Sequence, residues 1–127
     1  MKIFRTSVGR ARGLGAAHEG LGHWTAQRLS AIALVPLTFW FVAAVIRLAG
    51  VDYVTLKAWF ANPGNATLLS LFVFTGFFHA QLGLQVVIED YVHKVCVKTV
   101  SLIAIKLVSV LLGVYSVVSI FKIAFGG

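Results

Sequence analysis

Three ionisable side chains stand out in this chain, His79 and Lys106 within long apolar stretches and Asp90 at the end of one. Such groups are costly in hydrocarbon and are functional suspects by default. His79 has Gly76 and Gly83 at helical spacing, about 60° and 40° away on a helix wheel. A bulky flat group can approach the backbone beside the imidazole there. Haem needs that arrangement, with a neutral imidazole nitrogen toward the iron and small residues flanking the ring. The same residues also suit close helix packing, with His79 hydrogen-bonded to a neighbouring helix, or a proton relay. Periodicity leaves these readings open. Because the chain offers one such His, ligation by two imidazoles would take the second from another subunit.

Asp90 follows His79 by eleven residues, roughly 16 Å along a helix and nearly on the same face. Tyr91 adds a phenol beside it. A carboxylate and a phenol at a membrane edge can protonate or hydrogen-bond a quinone carbonyl. They also suit an interfacial anchor and a solvated helix end. Glu89 and Asp90 stand where a helix C-terminus disfavours negative charge, which mildly favours a functional or subunit-contact role. Arg28 opens the first apolar run and can pair with a haem propionate or a reduced quinone; ordinary charge anchoring explains it equally well. Lys106 can snorkel, pair with a carboxylate of another subunit, or mark a span that begins later. His18 and His23 read as surface or subunit contacts. Cys96 is the one cysteine, so neither an intramolecular disulfide nor a CxxC site is available. No Ser-His-Asp set, P-loop or dinucleotide fingerprint occurs.

The elements that must position these residues are membrane helices. Of the 127 residues 59% are hydrophobic and 12% charged, about half the charged fraction of a soluble domain. The apolar residues collect in three runs, about 29–48, 68–88 and 100–121, each long enough to cross a hydrocarbon layer of ~30 Å. The predicted fold is an all-α membrane protein of three transmembrane helices. A polar, basic arm over 1–25 precedes a helical anchor over 26–127. The arm is expected to be irregular; its basic, acid-poor character faintly resembles a mitochondrial presequence, and a secretory signal is not expected. Pro36 should kink the first span or be relieved by a neighbour. Residues 54–60 suit a short interfacial helix with Trp59 and Phe60 toward lipid, and Asn65 or Thr67 can cap the span that follows.

The net charge of +7 lies mostly at span ends, facing lipid headgroups or an acidic partner rather than nucleic acid, since no stacking or groove-reading motif accompanies it. Lys2, Arg5, Arg10, Arg12, Arg28, Lys94 and Lys98 share one side; Arg47, Lys57 and Lys122 share the other. This asymmetry predicts the N-terminus inside and the C-terminus outside.

The stretch from His79 to His93, HAQLGLQVVIEDYVH, resembles the second-helix signature of the small hydrophobic anchor of succinate dehydrogenase, H-x3-G-x6-D-Y. The opening of the first span, Arg28 to Leu37, RLSAIALVPL, is similar to that family too, in an alphaproteobacterial or mitochondrial-like form. The resemblance covers most of the chain. It implies a respiratory Complex II of the tricarboxylic acid cycle, in which a flavoprotein, an iron–sulfur subunit and a second cytochrome b anchor are the partners. It implies haem b between the anchors and ubiquinone as substrate. His79 then matches the axial ligand of the haem iron, Tyr91 the quinone-bonding phenol with Asp90 as its acidic neighbour, and Arg28 the arginine near quinone and propionates. The expected location is the bacterial inner membrane, with the mitochondrial inner membrane as second choice. The chain alone is not expected to catalyse. A fumarate reductase anchor and a non-redox helical membrane subunit are the alternatives.

Overall fold

A computed structural model describes residues 16–126, with side chains from residue 21. Four helices follow one another: α1 (Ala16–Leu48), α2 (Tyr53–Ala61), α3 (Pro63–Tyr91) and α4 (Val95–Ala124). Three of them, Leu21–Leu48 within α1, then α3 and α4, are long and apolar enough to cross a membrane. The expected arm over 1–25 is thus helical from Ala16 onward; residues 1–15, with the basic Lys2, Arg5, Arg10 and Arg12, lie outside the described residues. Lengthening α1 satisfies backbone groups that a loop at membrane depth would leave bare. The helix is continuous through Pro36.

The connections carry recognisable punctuation. Gly50 has φ of 82°, the left-handed region that glycine enters without a Cβ penalty, and it ends α1. Asp52 caps α2, its Oδ1 accepting from the Thr55 amide at 3.1 Å. Asn62 ends α2 and caps α3, its Oδ1 accepting from the Gly64 amide at 2.9 Å, with Pro63 in the first turn. This places the cap ahead of the expected Asn65 or Thr67, because Pro lacks the amide that a first-turn residue would leave unpaired anyway. The short helix forms as α2; Trp59 and Phe60 are half-buried, while Tyr53 is exposed. Trp59 stacks on Trp40 of α1 with centroids 5.9 Å apart.

The middle helix, α3, packs on both α1 and α4, while α2 rests against α3 and α4. Gln27 of α1 approaches Gly83 of α3, Ser30 meets His79, and Phe41 stacks on Phe72 with centroids 4.6 Å apart. As one index rises the other falls, so α1 and α3 are antiparallel. On α1 the less exposed positions 23, 27, 30, 34, 37, 41, 44 and 48 recur every three or four residues and form one stripe. The half nearer the C-terminal end of α1 is apolar; the half nearer the N-terminus is His23, Gln27 and Ser30.

Little of this surface is deeply buried, and what is buried is mostly small: Ser30, Ala44, Ala66 and Gly113, besides Leu82 and Ile120. Lipid tails are as apolar as leucine, so helices in a membrane gain by close backbone approach rather than by hiding apolar side chains from water. At Gly113, an added Cβ would lie 3.9 Å from the Phe77 ring. Large apolar residues such as Phe39, Phe74, Ile46 and Leu111 remain exposed, as expected for faces that meet lipid or another subunit.

Candidate functional site

His79 lies near the middle of α3 and is half-buried. Its Nδ1 is 2.9 Å from Ser30 Oγ. Ser30 is 6% exposed, and its hydroxyl is also 3.0 Å from the Gln27 carbonyl oxygen. His79 lines an open groove of about 300 Å³ with Ala31, Leu34, Val35, Thr38 and Phe39. The two flanking glycines have different surroundings. A Cβ at Gly76 would meet nothing within 4 Å, whereas one at Gly83 would lie 3.9 Å from Gln27 Nε2. At Gly83 α1 thus stands at ordinary contact distance through the Gln27 side chain.

Arg28, Asp90 and Tyr91 are exposed. Arg28 stands on the exposed side of α1, about 200° around the helix from Ser30, and its guanidinium lies over the Trp24 ring, 5.6 Å from the centroid. The chain by itself does not bring Arg28 to His79. Asp90 and Tyr91 occupy the last turn of α3, and Tyr91 is 78% exposed. The antiparallel register puts this turn at the membrane side where α1 begins, so Arg28 and Tyr91 stand toward the same side.

Ser30 and Gln27 carry no role in the sequence reading, and His23 reads there as a surface or subunit contact. All three share the less exposed stripe of α1. Gln27 Oε1 and His23 Nε2 are buried with no hydrogen-bond partner among the described residues. Their spacing of four and three is the available signal, since polar residues on a packed stripe need partners. On the opposite face of α3 from His79, Gln81 Nε2 donates to Gln85 Oε1 at 3.3 Å, and Gln85 Nε2 to Glu89 Oε1 at 3.1 Å. Glu89 thus ends a side-chain ladder that climbs into the span. Lys106 lines a cavity of about 570 Å³ between α3 and α4, with Phe74, Phe77, Phe78 and Gln81.

The donor set suits a porphyrin better than a caged ion. Among the described residues, no three His, Cys, Asp or Glu side chains converge on one point. A lone imidazole with one nitrogen engaged by a neighbour, set in an apolar groove, is the form an axial haem ligand takes. His79 has these features, and a Cβ at Gly76 would meet nothing within 4 Å.

Three helices long and apolar enough to cross a membrane define a multi-pass membrane protein. The family model for the succinate dehydrogenase/fumarate reductase transmembrane subunit matches residues 2–116, and the chain belongs to that family. Its relatives narrow this further. It is 36% identical to a succinate dehydrogenase hydrophobic membrane anchor subunit of Rickettsia bellii over 93% of this chain and 94% of that one. It is 42% identical to the subunit of the same description from Paracoccus denitrificans, over 64% of this chain and 63% of that one. A further relative from Rickettsia prowazekii is 29% identical over 93% of this chain and 94% of its own length. No solved structure gives a significant match. The chain is thus a succinate dehydrogenase anchor of alphaproteobacterial type, a multi-pass protein of the bacterial inner membrane and a subunit of an oxidoreductase.

Proposed function

We propose that this anchor supplies His79 as one axial ligand of a haem b shared with a second anchor subunit, and lends Tyr91, with Asp90 and Arg28, to a ubiquinone site at the same end of the bundle. The flavoprotein and iron–sulfur subunits would dock at that end, the side to which the sequence assigns most of its Lys and Arg. When bound, the haem supplies one-electron transfer inside the membrane. The protein's part is positioning, and the isolated chain performs no chemistry of its own. The observation that carries this reading is the state of His79: mid-span, half-buried, held through Nδ1, and open to an apolar groove that this chain does not fill.

Tyr91 donates its phenolic proton in a hydrogen bond to a quinone carbonyl and so fixes the ring for reduction. Asp90, at the same membrane edge, is placed to relay a proton from water. Arg28 stabilises negative charge that develops on the reduced quinone, or pairs with a haem propionate. The exposure of all three is what a pocket completed by other subunits requires.

The quinone assignment is tested on the purified complex with Tyr91→Phe. Succinate–quinone reductase activity should fall by roughly 10-fold, the cost of losing one hydrogen bond of about 1–1.5 kcal/mol. Succinate oxidation by a soluble dye should persist. Equal loss of both activities would show failed assembly instead of a lost quinone contact, and retention of both would remove Tyr91 from the site.

A further inference from the structure

Ser30 carries the furthest inference. It is the most buried polar side chain on α1, and it reaches across the α1–α3 contact to His79 from a position 49 residues earlier in the chain. A serine hydroxyl has one proton to give and two lone pairs to accept with. The Gln27 carbonyl, 3.0 Å away, can only accept, so the hydroxyl proton is spent there. The contact to His79 must then run the other way, with Nδ1–H donating to Ser30 Oγ at 2.9 Å.

That direction fixes the ring. A neutral imidazole carries its proton on one nitrogen, and a proton held at Nδ1 leaves Nε2 with a free lone pair. An imidazole needs this tautomer to bind iron through Nε2. The same bond prevents ring rotation and makes Nε2 more basic, because the acceptor draws on the Nδ1 proton. Gly83 contributes by letting α1 come close: Gln27, whose carbonyl takes the serine proton, also sits against the Gly83 backbone.

We infer that Ser30 is a positioning residue that sets the tautomer, orientation and basicity of His79 through an Nδ1–H···Oγ bond. The inference rests on the reading of His79 as a haem ligand. It gives a residue of α1 a part in setting the state of a histidine on α3.

The test uses the intact four-subunit complex and reads the haem rather than turnover. Ser30→Ala removes the acceptor, and Ser30→Cys replaces it with a poor one of similar shape. In both variants the haem midpoint potential should rise, since a less basic imidazole stabilises the ferric state less. Haem loss to an apo-globin acceptor should quicken by roughly 10-fold or more, in line with the effect of other outer partners of ligating histidines. Ser30→Thr, which keeps the hydroxyl, should restore both properties. His79→Ala serves as the companion variant. If it abolishes the haem signal while Ser30→Ala and Ser30→Cys leave potential and haem loss unchanged, the role of Ser30 is overturned and the ligand reading stands. If His79→Ala leaves the signal intact, the ligand reading fails, and the inference about Ser30 falls with it.

Discussion

Single residues in this anchor act through the one or two groups they touch, and Asp52 shows this outside the membrane. Its carboxylate accepts from Thr55, and that bond holds its pKa below the usual carboxylate range. A group whose pKa is lowered by folding stabilises the fold above its unfolded value, and the stabilisation is lost as pH falls through the folded value. The first turn of α2 should therefore loosen only in strongly acid solution. Hydrogen exchange over residues 52–56, corrected for intrinsic rates, should show an acid step in the native complex. That step should vanish in Asp52→Asn, which keeps a cap but cannot titrate; the same profile in both would contradict this account. Legibility at this scale was uneven. His79, Asp90 and Tyr91 were legible because ionisable or phenolic groups stand out against apolar sequence. Ser30 was not, because a serine in a membrane helix commonly bonds its own backbone, and its second partner is distant in sequence.

At the scale of elements, the contact between α1 and α3 decides whether the site forms. Its polar half brings Ser30 to His79, and its apolar half is closed by Phe41 on Phe72. Gly83 is the point of closest tolerance, with ordinary contact distance for one added carbon. Gly83→Ala should assemble normally and gain slightly in thermal stability, by up to ~1 kcal/mol from helix propensity. Gly83→Leu should push α1 away, so that haem content and thermal stability of the complex both fall. Equal behaviour of the two variants would show that α1 does not pack here. The apolar runs announced the three long helices, since about 20 apolar residues admit few other structures in a bilayer. The start of α1 was hidden by Gly20 and Gly22, which read as a loop yet lie within the helix. The Asn62–Pro63 pair serves as a helix start ahead of the expected caps Asn65 and Thr67, since the residues that break a helix internally also open one.

Across the whole molecule, the exposed apolar faces and the open groove at His79 describe a subunit made to be completed by others. Family membership and the relatives make it a succinate dehydrogenase anchor, and the functional reading adds that half of a haem site lies on it. In that reading the second ligand would come from another chain, so this sequence does not contain it. The charge asymmetry of the loops predicts the orientation that would place Tyr91 beside the soluble subunits. The central claim is that His79 binds the haem iron, and the reduced-minus-oxidised optical spectrum of the purified His79→Ala complex tests it most directly. Where dye-coupled succinate oxidation shows the soluble subunits intact, the account predicts that the b-type α-band is weakened or lost. A band of native position and intensity in that variant would contradict it.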